Sequence, residues 1–114
     1  MSEVANLFDA DGFELVPGVL ARPLFGTAAM LNLIDFEDGA VVPAHDHPHE
    51  QLGMVLDGEL LMVIGGVEHR LRAGDAYGIP GGVEHSANAD RGPCRVLDVF
   101  HPVREDYRDR AASG

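Results

Sequence analysis

Several residue types are absent or rare in this sequence of 114 residues, which has no lysine, no tryptophan and one cysteine, Cys94. A lone cysteine cannot form an intramolecular disulfide, and its apolar setting in CRVLDVF indicates a core residue rather than a nucleophile. The longest apolar stretch, LLMVIGGV, is far too short to span a membrane. The acidic N-terminal segment lacks the basic and apolar regions of a signal peptide. These features predict a soluble, cytoplasmic protein.

Positive charge is also scarce, and all of it is arginine. Eight basic residues stand against 19 acidic ones, which gives a formal net charge of −11 at pH 7. We therefore expect no nucleic-acid or membrane partner, because both are bound mainly through clustered cations that neutralise phosphate groups. A small anionic substrate would need a local site of opposite charge, such as a metal ion with one or two arginines.

Hydrophobic residues and turn residues are plentiful. The chain is 46% hydrophobic, and its 14 glycines and 7 prolines are spread along it. This length suits one domain over residues 1–114, and the spread of turn residues favours many short strands. The prediction is an all-β fold, a barrel or double-sheet jelly roll. Its core should span about residues 13–102, with terminal segments at 1–12 and 103–114, the second lying on the surface as a short helix at most.

The strongest strand signal is a pair of apolar runs separated by Asp57-Gly58. Residues 51–56 and 59–64 are predicted to form a β-hairpin, because an Asp-Gly pair favours the tight turn between paired strands. The second run is apolar on both faces. One face carries Leu60, Met62 and Ile64, and the other carries Leu61 and Val63. Since one face would fill the barrel, the other is predicted to pack on a second subunit, and a homodimer is expected.

Three histidines and one glutamine are spaced as metal ligands. His45 and His47 lie two positions apart in an extended segment, so both rings should point the same way. Gln51 begins the next apolar run, and His85 lies in a second segment, punctuated by Gly and Pro, that can fold back beside the first. We predict that the four side chains converge on one divalent transition metal, which imidazole suits as a ligand.

Each of these assignments has a plainer alternative. The histidines could be surface or capping residues, and Gln51 could be an amide at the edge of the core that bonds to backbone. Glu50 does not replace Gln51, because it lies one residue closer to His47 and faces the other side of the strand. His49, after Pro48, either lines the pocket or lies in an exposed loop.

An acidic residue, Asp98, interrupts an apolar strand face. The last strong strand carries Val96, Asp98 and Phe100 on one side. Facing a barrel interior near a dication, Asp98 would be a general acid or base; the alternative is a buried carboxylate paired with Arg95, Arg104 or a backbone amide for structural reasons. Phe100 is either a pocket wall or plain core. Arg104 either holds a substrate carboxylate bidentately or pairs with an acidic neighbour on the surface.

Two motifs resemble those of the cupin superfamily, small jelly-roll barrels (double-stranded β-helices) that carry one metal. The first family motif is Gly, five residues, His-x-His, three or four residues, Glu, six residues, Gly. The second is Gly, five residues, Pro-x-Gly, two residues, His, three residues, Asn. The matching positions are Gly39, His45, His47, Gln51 and Gly58 in the first motif and Gly74, Pro80, Gly82 and His85 in the second.

The sequence departs from this pattern at two positions. Asn88 comes one residue early, and Gln51 replaces the usual Glu. Three imidazoles and one amide carry no negative charge, so a bound dication would keep its full charge to polarise a substrate or water. This change favours Lewis-acid chemistry.

A narrower resemblance lies in the segment LDVFHPVREDY, which contains Asp98, Phe100 and Arg104. It is similar to the C-terminal signature of the small cupins that linearise 4,5-unsaturated uronates in pectin and alginate degradation. In that group three histidines and a glutamine hold the metal, and the positions that match Asp98, Phe100 and Arg104 belong to the active site. The segment HPHEQ agrees with this group as well.

The resemblance implies a metal-dependent lyase or isomerase that opens unsaturated uronate rings without redox chemistry. Its cofactor would be one divalent ion of Ni, Mn, Fe, Zn or Co, since all of these accept such ligands. Two alternatives remain open. One is an Fe(II)-dependent dioxygenase of a small organic substrate, and the other is a non-catalytic module that binds a sugar or a metal.

Overall fold

The computed structural model describes residues 3–113, which form ten strands and one short helix. Residues 3–12 contain neither strand nor helix. Within the described residues, no helix is long and apolar enough to cross a membrane. The elements are β1 (Phe13–Val16), β2 (Val19–Phe25), β3 (Met30–Phe36), β4 (Val41–His45), β5 (Glu50–Asp57), β6 (Glu59–Ile64), β7 (Val67–Arg72), β8 (Ala76–Ile79), β9 (His85–Asn88), β10 (Cys94–His101) and α1 (Glu105–Ser113).

The strands form two antiparallel sheets whose inner faces share one core. The large sheet has the order β1-β2-β3-β10-β5-β8, and the small sheet has the order β4-β9-β6-β7. Neighbours that are distant in sequence, such as β3 and β10, are typical of the jelly roll. The predicted all-β jelly roll is therefore confirmed. The buried side chains of its core include Ala21, Ile34, Val55, Leu60, Met62, Val96 and Phe100.

The predicted hairpin across Asp57-Gly58 is wrong, although both of its strands exist. β5 pairs with β10 and β8 in the large sheet, whereas β6 pairs with β7 and β9 in the small sheet. Gly58, at a φ of +82°, turns the chain from one sheet into the other, and a Cβ there would lie 2.3 Å from the carbonyl oxygen of Pro93. A corner between sheets and a hairpin turn both need a positive φ, so local turn chemistry does not distinguish them.

The outer face of the large sheet is also apolar, and the N-terminal segment covers part of it. Leu33 points away from the core but is only 2% exposed, and it lines a surface pocket together with residues 5–8. Leu31, Leu52 and Met54 on the same face remain exposed.

The strand predicted to contact a second subunit is β6, which lies in the small sheet and turns Leu60 and Met62 into the core. Leu61 and Val63 on its other face are half-buried, so they are less exposed than Leu31, Leu52 and Met54 on the outer face of the large sheet. Homodimer formation stays a prediction.

One ion-pair cluster ties three strands of the large sheet together on its outer face. Asp35 on β3 accepts hydrogen bonds from Arg22 on β2, at 2.5 Å, and from Arg95 on β10, at 2.7 Å. Partial burial by itself raises the pKa of Asp35. The hydrogen bonds and charges of Arg95 and Arg22 outweigh this effect and leave the pKa below its usual value.

Asp35→Asn is expected to lower the free energy of unfolding by roughly 1 kcal/mol near neutral pH. Because the pKa of Asp35 is lower in the folded state, its contribution is present above about pH 3.8 and is lost as the pH falls through the folded-state pKa. Urea unfolding of both proteins across this pH range should show their stability difference shrinking in acid. A difference that stays constant with pH would contradict the assignment.

Candidate metal centre

Three histidine rings converge at one end of the small sheet. β4 and β9 are antiparallel neighbours, and His45 lies directly opposite His85. The centroids of the three rings, with His47 as the third, are 4.4 to 5.6 Å apart, and their ligand nitrogens lie within 4.8 Å of one another. The two histidine segments thus fold together as predicted, and the triad is positioned for a metal.

His47 reaches this cluster from a loop rather than from the strand. β4 ends at His45, so His47 lies two residues beyond the end of the strand. The backbone N–H of Gly82 donates to the carbonyl of His47 at 2.8 Å. Gly81 packs so closely on the loop that a Cβ there would lie 2.2 Å from the carbonyl oxygen of Pro48. The convergence is as predicted, and contacts with the loop at Gly81 and Gly82 help to position His47.

Main-chain carbonyls orient all three rings. A carbonyl oxygen only accepts hydrogen bonds, so each Nδ1 carries a proton and each Nε2 keeps its lone pair for a metal. His49 contributes its carbonyl in this way, while its half-buried ring lies outside the cluster, 5.6 Å from that of His47. The distances from Nδ1 to oxygen are 2.8 Å from His45 to Pro43, 3.0 Å from His47 to His49 and 2.9 Å from His85 to Val83.

The lone pairs left by this arrangement fit a cation. Within the described residues, the buried Nε2 of His85 has no hydrogen-bond partner. Nε2 of His47 lies 3.1 Å from Oε1 of Gln51. Because the ring proton is on Nδ1, this nitrogen and the amide oxygen are both acceptors and repel each other. A cation bound between the two atoms would remove that repulsion. Burial lowers the pKa of His47 and of His85, and the positive charge of Arg104 lowers both further. The lower pKa favours the neutral, metal-binding form.

A row of inward positions crosses the large sheet beside the histidines. Asn32, Asp98, Gly53 and Tyr77 are successive cross-strand partners on β3, β10, β5 and β8. The hydroxyl of Tyr77 donates a hydrogen bond to Oδ1 of Asp98. This bond passes over Gly53, where a Cβ would lie 2.3 Å from both side chains. The pair can therefore form only because residue 53 has no side chain.

Asp98 is a buried acid on the same cavity as the metal-binding candidates. The cavity measures about 40 Å³, and Asp98 lines it together with His45, His85, Gln51 and Tyr77. Burial raises the pKa of Asp98 to about 6, although the hydrogen bond from Tyr77, the nearby amide of Gln51 and the charge of Arg104 oppose this rise. A carboxyl with this pKa exists in both protonation states near neutral pH, which suits a general acid or base.

Arg104 is 9% exposed and lines the cavity, although the sequence predicts that residues 103–114 lie on the surface. Its Nε and Nη2 donate to the carboxylate of Asp106 at 3.3 and 2.9 Å, and Nη1 donates to the Tyr107 hydroxyl at 3.0 Å. The guanidinium carbon lies 4.0 Å from the centroid of the Tyr107 ring. Phe100 packs edge-on against His47 with ring centroids 5.6 Å apart, and it belongs to the buried core.

Sequence reasoning missed both tyrosines of the site. Tyr107 is buried on α1, so the prediction that the tail lies on the surface is partly wrong. The only signal for it was a lone aromatic residue three positions after Arg104, which is helical spacing. Tyr77 belongs to no motif. Its role depends on its cross-strand position beside Gly53, which requires strand pairings that the sequence does not reveal.

Gly53→Ala is expected to destabilise the protein by about 1–3 kcal/mol, because the new methyl group overpacks the Tyr77–Asp98 contact. Gly78→Ala is a matched control on the neighbouring strand, since a Cβ there would meet the flexible end of Leu52 at 3.3 Å. Neither glycine has a positive φ, so only space distinguishes them. Urea unfolding should show a clear loss for Gly53→Ala alone; equal losses would contradict the packing argument.

The family of the chain follows from a comparison with known domains. A family model described as a cupin domain matches residues 32–100, which is more than half of the chain. The chain belongs to the cupin family. This cupin is 30% identical to the pectin degradation protein KdgF of Dickeya dadantii (strain 3937) over 79 residues, a match that covers 68% of this chain and 72% of that protein.

Two further relatives show how far the likeness extends. The solved structure of KdgF from Halomonas sp. has a TM-score of 0.86 and 29% identity with this cupin, covering 93% of this chain and 98% of that one. The HTH-type transcriptional regulator PuuR of Escherichia coli (strain K12) is 39% identical over 58 residues, which is 50% of this chain and 31% of the regulator. The chain therefore spans only part of the length of that regulator.

Proposed function

We propose that this cupin is a metal-dependent enzyme that opens the rings of 4,5-unsaturated uronates from pectin or alginate, an isomerisation without redox chemistry. The observation that carries the proposal is the buried acid Asp98 on the same cavity as His45, His85 and Gln51. Similarity to two KdgF proteins, one of them named as a pectin degradation protein, supports a sugar acid as the substrate.

His45, His47, His85 and Gln51 would hold the metal. Their free Nε2 atoms and the amide oxygen are neutral donors that suit several first-row divalent ions, including Ni, Mn, Fe, Zn and Co. When bound, such an ion supplies a full double positive charge that polarises substrate oxygens.

Asp98 is assigned the proton transfers. Ring opening breaks the bond between C1 and the ring oxygen as the C1 hydroxyl loses its proton, and it leaves an enolate at C5. One proton added at C4 then gives a ketone at C5, so the product is an isomer of the substrate. Asp98 can accept the first proton and return one to C4, while Tyr77 holds Oδ1 and leaves the second carboxylate oxygen available.

The experiment that tests this function is an anaerobic assay of metal-loaded protein on unsaturated galacturonate. The absorbance of the conjugated double bond should disappear faster than it does spontaneously, and a chelator should abolish the acceleration. No acceleration in the presence of metal would contradict the proposal. Oxygen consumption with a small organic substrate would then favour the dioxygenase alternative.

The similarity to PuuR supports a second candidate function, a module that binds a small molecule without converting it. Such a module needs a ligand pocket but has no use for a buried acid held by a tyrosine. Tight binding of the uronate to metal-loaded protein without turnover would favour this candidate.

A further inference from the structure

The cavity that contains Asp98 is too small for a sugar. Its volume of about 40 Å³ has room for only a few water-sized groups, whereas pockets for small molecules usually measure about 300–1,000 Å³. An outer pocket of about 330 Å³ adjoins it between β1, β4 and α1, and His45, Arg104 and Tyr107 line both spaces. His45 is also the most exposed histidine of the triad, so the triad is open towards this pocket.

The two arginines of the outer pocket differ in whether they already pair with a carboxylate. Arg104 is already bonded to Asp106, whose carboxylate also lines the pocket. Arg110 lines the same pocket, and its guanidinium donates to the main-chain carbonyls of Leu15, at 3.0 Å, and Glu14. Among the arginines of residues 3–113, only Arg72 and Arg110 are not paired with a carboxylate.

The position of Arg110 is fixed without its charge being neutralised. Two neutral carbonyls orient the guanidinium, which also lies 5.0 Å from the centroid of the Phe13 ring. Arg has five N–H donors, so this arrangement leaves donors free for a carboxylate, in a chain with a net charge of −11 that otherwise repels anions.

We propose that a single-ring sugar acid binds in the outer pocket with its reacting carbons at the shared boundary with the Asp98 cavity, and that Arg110 is the residue that selects its carboxylate. This inference rests on the proposed function for the choice of sugar, but not for the anion site itself. Carboxylate recognition then belongs to Arg110 on α1, which has no carboxylate partner, rather than to Arg104, which already pairs with Asp106.

The test compares Arg110→Gln with Arg108→Gln in the metal-loaded protein. Arg108 is a matched control on the same helix, because it also stacks on a phenylalanine, Phe25, but it pairs with Glu105 and lies outside the outer pocket.

Calorimetry should show that Arg110→Gln weakens binding of saturated galacturonate about tenfold and leaves binding of neutral galactose unchanged. Arg108→Gln should leave both affinities within about twofold of wild type. In turnover assays, Arg110→Gln should raise KM with little change in kcat.

Arg110→Lys separates charge from folding, since it keeps the cation and should retain part of the galacturonate affinity. Equal loss of both sugars in Arg110→Gln, the same loss in Arg108→Gln, or wild-type protein that does not prefer galacturonate to galactose would overturn the proposal. If wild type binds galacturonate through Arg110 but does not convert the unsaturated sugar, the anion site stands and the proposed function fails.

Discussion

Asp98→Asn is expected to lower kcat on unsaturated galacturonate by roughly 100- to 10,000-fold, the usual contribution of a general acid or base. Asparagine has nearly the same shape and can still accept the hydrogen bond from Tyr77, so the fold and the metal content should be retained. Steady-state kinetics with metal analysis of the same sample would measure both quantities.

A surface aspartate provides the control for this substitution. Asp90 is paired with Arg70 on the exterior of the small sheet, and Asp90→Asn should leave kcat unchanged. Full turnover by Asp98→Asn would remove Asp98 from the mechanism. Loss of metal together with activity would instead show that Asp98 supports the ligands rather than the proton transfers.

His85→Ala is expected to weaken metal binding by more than about 100-fold. Loss of an outer partner of a metal ligand already costs about 10–100-fold, and the loss of a ligand should cost more. In wild type, metal at about 100 times its Kd should raise the free energy of unfolding by about 2.7 kcal/mol, and this gain should disappear in His85→Ala. Isothermal calorimetry and urea unfolding with and without metal would measure the two effects.

His69 provides the matched control, because it is an exposed histidine on β7 away from the cluster. His69→Ala should bind metal as wild type does. Unchanged metal affinity in His85→Ala would contradict the assignment of the triad.

The candidate site could be predicted in composition better than in geometry. The spacing of His45, His47 and His85 was enough to predict their convergence, and β4 and β9 do pair so that His45 faces His85. The inward position of Asp98 followed from its alternation with Val96 and Phe100, and all three are buried. Such inferences succeed because a strand has a period of two and a barrel has only one inside.

Inferences about how distant segments pack against one another succeeded less often. Asp57-Gly58 has the residues of a hairpin turn, but β5 and β6 belong to different sheets. Residues in the tail were expected at the surface, but Arg104 and Tyr107 fold onto the barrel. In both cases local chemistry allowed two outcomes, and long-range packing selected one.

The sequence by itself determined the all-β class, the acidic surface and the set of residues that can bind a metal, because these depend on composition and on short-range periodicity. Only the tertiary structure decided that Tyr77 reaches Asp98 across Gly53, and that Arg104 is paired while Arg110 is not. These contacts join residues brought together by sheet registers and by the docking of α1, and both depend on how the whole chain packs rather than on any short segment.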